Sequence, residues 1–482
     1  MENHSSKSIL FAASEAFPFA KSGGLADVMH SLPKALSQDH HTSVIIPLYQ
    51  FIDKKRYGIK SLGESAHVEM GGNNYFTELY GCQYEGVDYY FVYSPSLSDR
   101  PFMYGPPESG YEDNAHRFTL FCRIVVQLLK QKHFDILHLN DWQSALSALF
   151  VKEDRSIDTK VVYTIHNLAY QGIFTRDTLN QLGLHHDYFT SDSLEYYGEI
   201  NFMKSGIAYS DSITTVSPSY RREILLPEFG NGLDGFLQFH SHKLSGILNG
   251  LDSDHFSPKK DILLKKRYGF GELKDKHANK KHYLKSIGFN DPSRPLFIFI
   301  GRFTWQKGIG LIVNVLDKIA RMPINIAILG EGDLKYQQEL TEEASKYRNI
   351  SLFFGYDESV SHNMYAAADF LLMPSLFEPC GLNQMIAMKY GAIPVVHSVG
   401  GLRDTVASFE EFDAEIDIGY GVISEEMSED SLVASIIKAF GLFNDKRKFN
   451  KIIRHNMQMD FSSKKSAKKY SKLYMELLQN SS

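Results

Sequence analysis

The chain has 482 residues, 43% of them apolar, and a formal net charge of −6. That length exceeds the usual limit for one hydrophobic core, so two domains are expected, and the apolar share excludes a disordered chain. The charge balance gives no reason to expect nucleic acid or an anionic membrane as partner, whereas a small phosphate-bearing ligand needs only a local cluster of positive charge.

Three widely spaced cysteines, Cys82, Cys122 and Cys380, fit neither a disulfide framework nor a metal-binding pattern, which points to a reducing, cytoplasmic setting. The residues from Met1 to Ser8 are polar. The apolar stretch Ile9 to Ala13 is cut by Glu15, too early for a signal-peptide core, and no run approaches the roughly 20 apolar residues of a membrane span.

The first half alternates short apolar runs with helical patterns. Ile9 to Ala13 reads as a buried strand, Leu25 to Leu36 as a helix disturbed by Pro33, and Val44 to Pro47 as the next strand. Tyr75–Tyr84 and Val87–Tyr93 form an expected hairpin turning at Glu85-Gly86. The segment Ser94 to Asn114, rich in proline, glycine and tyrosine, reads as a mobile binding loop. Strands follow at Ile136–Leu139, Val161–Thr164 and Ser212–Val216. This alternation argues for a parallel sheet with helices on both faces.

A second series begins after Ile247-Leu248-Asn249-Gly250. The basic stretch Lys259 to Lys285 reads as a helical linker with a solvated face. New strands are expected at Leu296–Ile300, Ile324–Leu329, Ile350–Phe354, Phe370–Met373 and Pro394–Val396. Leu432, Val433, Ile436, Ile437 and Phe440 mark one helix face. A last helix near Lys464 to Gln479 turns Ala467, Tyr470, Leu473, Tyr474 and Leu477 inward. The expected architecture is α/β, with two doubly wound, Rossmann-like domains facing across a cleft. They cover residues 1–250 and 251–460, and residues 461–482 form a helix returning to the first domain.

Three glycine turns follow strands in this reading: Lys21-Ser22-Gly23-Gly24-Leu25, Cys380-Gly381-Leu382 and Gly400-Gly401-Leu402. A glycine turn feeding a helix exposes backbone amides and the positive end of the helix dipole, which suits a phosphate. Arg302 and Lys307 lie beyond the carboxyl end of the Leu296–Ile300 strand, where ligands of open α/β sheets sit. The segment is not a Walker loop, because no GxxxxGK[ST] pattern occurs there. Lys21, Arg302 and Lys307 together could compensate a diphosphate, and Glu378 could orient an attached sugar.

These residues carry a family resemblance. Lys-Ser-Gly-Gly-Leu-Ala-Asp-Val at 21–28, Tyr-Thr-Ile-His-Asn-Leu-Ala-Tyr-Gln-Gly at 163–172, Gly301 to Gly308, and Pro-Ser-Leu-Phe-Glu-Pro-Cys-Gly-Leu at 374–382 resemble the bacterial glycogen synthases and plant starch synthases. His138 to Trp142, Ile247 to Asp252 and Tyr390 to Leu402 add supporting matches in the family's order, across about residues 9 to 475.

The resemblance implies the GT-B fold and a hexosyltransferase that moves glucose from ADP-glucose to the non-reducing end of an α-1,4-glucan, with retention at the anomeric carbon. The nucleotide sugar is a substrate, and neither a resident cofactor nor a metal is implied. The resemblance places Glu378 on the transferred glucose, Arg302 and Lys307 on the diphosphate, His166 near the sugar's hydroxymethyl group and Asp141 at the donor–acceptor junction. Lys21, Gly23 and Gly24 fall on the donor's phosphate side, as do Cys380, Gly381, Leu382, Gly400 and Gly401, while Tyr356 stacks on the base. Related transferases often carry a second glutamate eight positions after the first, and here that position is Ile386.

Retaining hydrolases use a carboxylate nucleophile with a second carboxyl as acid/base, and no such pair is evident in the sequence. Attack by the acceptor hydroxyl from the leaving-group face, with the departing phosphate oxygen taking its proton, is the favoured mechanism. Duller readings stand beside each candidate. Asp141 could cap the helix that follows it, His166 could hydrogen-bond a neighbouring helix, and Cys380 could simply fit a tight loop. A glucan-binding scaffold descended from an enzyme, a phosphorylase with a pyridoxal cofactor, and a UDP-glucose donor are the alternatives.

Overall fold

A computed structural model describes residues 6–106 and 109–479. The first five residues of the polar start, and residues 107 and 108 of the Ser94–Asn114 segment, lie outside them. The chain divides into two compact units, one comprising Met1–Gly250 with Ser463–Ser482 and the other Leu251–Ser462.

The strands of the first unit are β1 (Ser8–Ala12), β2 (His41–Pro47), β3 (Lys60–Met70), β4 (Asn73–Tyr84), β5 (Val87–Tyr93), β6 (Ile136–Asn140), β7 (Lys160–Ile165), β8 (Ile173–Thr175), β9 (Glu195–Tyr196), β10 (Glu199–Asn201), β11 (Ser212–Thr215) and β12 (Leu244–Gly246). Nine of them form one sheet in the order β12-β11-β7-β6-β1-β2-β5-β4-β3. The pairings from β12 to β5 are all parallel. β4 and β3 extend the sheet as an antiparallel pair.

The central strands read as unbroken apolar runs because both faces are covered, and Ile9, Leu10, Phe11 and Ala12 are all fully buried. The hairpin turn places Glu85 at φ 48° and Gly86 at φ 82°, the left-handed pair that matches the twist of a two-residue connection. β3 has no counterpart in the sequence reading, since much of it is exposed and carries no apolar run.

Two expectations for this unit need correction. The first helix runs through Pro33 to Leu36, because a proline in the last turn removes a single N–H and the Pro33 carbonyl still accepts from Ser37 N–H. Within the Ser94–Asn114 segment the stretch from Ser96 to Met103 is tied down, because the buried Arg117 guanidinium donates to the carbonyls of Ser96, Leu97 and Met103. The helix Ser463–Gln479 adds Ala467, Tyr470 and Tyr474 to the core of this unit. His138 on β6 meets Tyr474 Oη at 2.6 Å through Nδ1 and Thr164 Oγ1 at 2.6 Å through Nε2.

The second unit holds β13 (Leu296–Ile300), β14 (Asn325–Gly330), β15 (Ile350–Phe354), β16 (Phe370–Met373), β17 (Ile393–His397), β18 (Val406–Ser408) and β19 (Gly419–Ser424). Their order is β15-β14-β13-β16-β17-β19-β18, parallel throughout.

The basic stretch is neither a linker nor wholly solvated. Its helix, Leu273–Ser286, turns two lysines into the unit. Lys276 donates to the carbonyls of Ala366 and Ala368 at the end of a neighbouring helix, and burial pushes its ammonium down to about 7. Lys280 pairs with Asp369 at 2.6 Å, both side chains being buried. The helix Glu429–Asn444 buries Leu432, Val433, Ile436, Ala439, Leu442 and Phe443, whereas Ile437 is 54% exposed and lies off that face.

Candidate active site

Each sheet reverses its strand order at its centre, and all the candidate residues but Tyr356 lie on segments leaving the strands at or next to those two places. In the second unit the reversal lies between β13 and β16. Loops leaving the carboxyl ends of two such strands run in opposite directions and open a crevice between them. The loop after β13 carries Arg302 and Lys307, and the loop after β16 carries Ser375, Glu378 and Cys380. Lys307 Nζ donates to both carboxylate oxygens of Glu378, at 2.9 and 2.7 Å, and Ser375 Oγ donates to Oε2 at 3.0 Å. Glu378 is 5% exposed, so this carboxylate is held in place rather than waving in solvent. Arg302 is exposed.

The backbone here is close-packed. Gly308 sits at φ 68°, and a Cβ on it would lie 1.8 Å from the Pro374 carbonyl oxygen, so only glycine lets the Lys307 turn rest on the Glu378 loop. Gly401 N–H donates to the Glu378 carbonyl at 3.0 Å, and a Cβ on Gly401 would lie 2.1 Å from the Cys380 carbonyl oxygen. Gly400 and Gly401 open the helix Gly400–Thr405 and brace the Glu378 loop from β17. Cys380 is buried and not disulfide-bonded, Gly381 has φ 70° and Leu382 precedes the helix Asn383–Lys389. Asn383 ties that helix to the end of β13 through the Ile300 carbonyl at 2.7 Å. Tyr356, between β15 and the next helix, is 58% exposed.

In the first unit the reversal lies between β1 and β6. Glu15 follows β1, and its carboxylate accepts from Ser22 N–H, from Gly23 N–H at 3.3 Å and from Ser22 Oγ at 3.0 Å. It therefore shapes the Lys21–Leu25 loop from behind. Lys21 Nζ pairs with Asp27 at 2.7 Å. Gly23 is the extended residue before the helix Gly24–Leu36, and space is open where its Cβ would stand.

Asp141 follows β6 with φ 56° and ψ −177°, a conformation that side-chain-bearing residues rarely hold. Its side chain does not cap the following helix. Oδ1 instead accepts from His166 N–H at 2.8 Å and Asn167 N–H at 3.4 Å, pinning the loop after β7. His166 Nε2 lies 2.9 Å from Asn140 Oδ1. The Asn140 amide nitrogen already donates to the carbonyls of Ala12 and His138, so its oxygen must accept and the His166 proton sits on Nε2.

Burial sets the charge states of these groups. It pushes Glu15 up to about 7, against the hydrogen bonds from Ser22 and Gly23. It pushes Asp141 up to about 7, with the Glu15 charge adding to the rise. His166 is driven down to about 3 by the same cause, so its imidazole is neutral at physiological pH. His138 behind it is likewise driven down to about 3.

The structure thus brings Asp141 and His166 together in one unit and Lys307, Glu378, Cys380, Gly400 and Gly401 in the other. Lys21, Gly23 and Gly24 share the Glu15-supported loop. Arg302 follows β13 and Tyr356 follows β15, and both are exposed. Glu15, Asn140, Ser375 and Gln384 escaped the sequence reading. Gln384 donates to the carbonyls of Cys380 and Gly381 and to Thr405 Oγ1, closing the loop on the helix beside it. Glu15 alone left a signal, a carboxylate immediately after a buried strand.

Two parallel α/β units, each with polar and charged loops at its strand-order reversal, define a two-domain glycosyltransferase of the GT-B type. Residues 8–239 match the model of the starch synthase catalytic domain, and residues 282–456 match that of glycosyl transferases group 1. The glycogen synthase of Geotalea daltonii is 40% identical over 480 residues, covering 98% of this chain and 99% of that protein. The glycogen synthase of Aquifex aeolicus is 39% identical over 472 residues, covering 97% and 99%. The catalytic domain of starch synthase IV from Arabidopsis thaliana, solved with ADP and acarbose, superposes with a TM-score of 0.92 at 31% identity, covering 98% of this chain and 100% of that one. The chain belongs to the glycogen and starch synthase family.

Proposed function

We propose that this protein is a glycogen synthase, transferring glucose from ADP-glucose to the non-reducing end of an α-1,4-glucan with retention of configuration. The observation that carries the reading is the Lys307–Glu378 pair, a cation and a sugar-orienting carboxylate locked together where the strand order of the second unit reverses. The full-length glycogen synthase relatives and the ADP and acarbose in the starch synthase IV structure support the donor and acceptor classes.

In this reading Lys307 and Arg302 meet the diphosphate as its charge grows, which lowers the barrier because the interaction strengthens only as the glycosidic bond breaks. Glu378 turns from its lysine toward the hydroxyls of the transferred glucose. Lys21 leaves Asp27 for the donor phosphate, beside the Gly23-Gly24 turn that Glu15 holds in place. Cys380, Gly381, Leu382, Gly400 and Gly401 line the donor's side, and Tyr356 covers the base. His166, neutral with its proton on Nε2, offers the lone pair of Nδ1 to a sugar hydroxyl.

Glu15 and Asp141 are both committed to backbone amides. Neither is therefore placed as a nucleophile, and attack from the leaving-group face remains the mechanism of choice. Asp141 acts by holding the His166 loop at the donor–acceptor junction. No described helix is long and apolar enough to cross a membrane, and three cysteines outside any disulfide fit a cytoplasmic enzyme.

The test is glucose incorporation into glycogen by the purified protein and by Glu378→Ala, with ADP-glucose and UDP-glucose offered separately. Incorporation from ADP-glucose that is lost in the variant is expected. Glucan binding without transfer from either donor would overturn the proposal in favour of a scaffold.

A further inference from the structure

The loop opening the second unit and the helix Glu358–Ala367 place two imidazoles and a carboxylate side by side. His255 Nε2 lies 3.0 Å from Glu358 Oε1, and the His255 and His362 rings are 5.2 Å apart, edge to face. Glu358 and His362 are four residues apart on one helix and so share a face. One ligand atom from each of His255, Glu358 and His362 lies within 4.8 Å of the other two.

What stands behind His362 gives the cluster its direction. Its Nδ1 donates to Asp261 Oδ2 at 2.7 Å, and Tyr390 Oη donates to the same oxygen at 2.6 Å. His362 is 2% and Asp261 6% exposed, so this ring cannot swing away. A carboxylate on Nδ1 puts the lone pair on Nε2, the arrangement that metal-ligating histidines adopt. The His255 and Glu358 side chains are 27% and 38% exposed, which gives an ion a way in and leaves room for a water ligand.

We propose that His255, Glu358 and His362 form a site for a divalent transition metal of the zinc type, with Asp261 fixing the ligating tautomer of His362. Two imidazoles with one carboxylate favour zinc or cobalt over magnesium or calcium, which take oxygen ligands. Metal–ligand bonds of roughly 2.0–2.1 Å set tetrahedral ligand pairs roughly 3.3 Å apart. The His255–Glu358 pair is already near that spacing at 3.0 Å, and these two half-buried side chains can supply the remaining closure by rotation. Glu358 lies two residues after Tyr356, so a bound ion would tether the Phe354–Glu358 turn to the loop around His255. The site uses none of the residues assigned above to glucose transfer and stands independently of that assignment.

The experiment uses full-length, tag-free protein stripped with a chelator and titrated with cobalt(II), whose visible bands report tetrahedral coordination, followed by displacement with zinc(II). One equivalent bound with tetrahedral bands is expected, with affinity reduced about 10–100-fold in Asp261→Asn and by a larger factor in His255→Ala and in Glu358→Gln. Amide hydrogen exchange across residues 355–358 should slow when zinc is added to the parent and not when it is added to Glu358→Gln. Failure of the parent to retain one equivalent overturns the proposal whatever the variants do. Equal affinity in the parent and in His255→Ala and Glu358→Gln also overturns it, by placing the ion elsewhere among the chain's nineteen histidines.

Discussion

Lys307 and Glu378 are each other's partner: one ammonium spans both oxygens of one carboxylate, 71 residues away along the chain. Glu378 keeps Ser375 Oγ as its other side-chain donor and is otherwise buried. The pair is therefore both the electrostatic support of its own loop and, in the proposed reaction, a cation and a carboxylate that a nucleotide sugar would separate.

Removing the cation should cost turnover. Lys307→Ala is expected to lower kcat by about 100- to 1,000-fold, the usual loss when one donor to developing charge is deleted, with a much smaller change in glucan affinity. Steady-state kinetics against glycogen and ADP-glucose would check this, and unchanged turnover would contradict the role.

The same substitution leaves a buried carboxylate with a single hydroxyl partner. Chemical denaturation should show Lys307→Ala destabilised by about 1–3 kcal/mol. Adding Glu378→Ala should recover part of that loss, with a coupling of about 0.5–3 kcal/mol in the double-mutant cycle. Strict additivity would mean that the contact contributes nothing to the fold.

Asp141 combines a left-handed φ with two backbone donors on one oxygen. Asp141→Asn keeps an acceptor and should fold with a loss of about 1 kcal/mol or less, whereas Asp141→Ala strands the His166 and Asn167 amides and should lose about 2–4 kcal/mol. Asp141→Gly should be less damaging than Asp141→Ala, since glycine holds this backbone without strain. The reverse order in thermal denaturation would refute the strain argument.

Glu15 predicts a pH dependence with a definite sign. Its carboxyl rises from an ordinary 4.5 to about 7 on folding, so the folded state holds the proton more tightly than the unfolded state. Its contribution is fully present below the ordinary value and is lost as pH rises through about 7. The Tm difference between Glu15→Gln and the parent should therefore move in favour of the variant between about pH 4.5 and 7 and then level off. His138 runs the other way: held at about 3, it favours the fold above its ordinary 6.5 and ceases to as pH falls toward 3. A Tm difference that stays flat across that window would rule out burial as the dominant influence on Glu15.

Tyr474→Phe removes the hydroxyl that meets His138 while leaving the ring in the core of the first unit. A loss of about 0.5–1.5 kcal/mol is expected in urea denaturation. Tyr474→Ala should lose about 3–5 kcal/mol, because the ring itself fills core volume. Equal effects would assign all the energy to the hydroxyl.

Much of this protein was legible before any coordinates. Buried parallel strands announce themselves as unbroken apolar runs, so β1, β6, β13 and β16 could be read from Ile9–Ala13, Ile136–Leu139, Leu296–Ile300 and Phe370–Met373. Glycines forced by close backbone approach, Gly308 after β13 and Gly401 after β17 among them, made the loops at the strand ends stand out. The basic helix Leu273–Ser286 misled because composition cannot tell a solvated lysine from one that ends on buried carbonyls, as Lys276 does.

Tertiary structure alone decided who touches whom. Strand order is a long-range property: the parallel pairing of β6 with β7 sets Asn140 beside His166, and the reversal at β13/β16 sets Lys307 against Glu378. Local pattern carries the elements because apolar periodicity and turn chemistry act over a few residues. The partners and charge states of Glu15, Asp141 and His166 depend on what excludes water from them, and those neighbours come from chain segments that no local pattern connects.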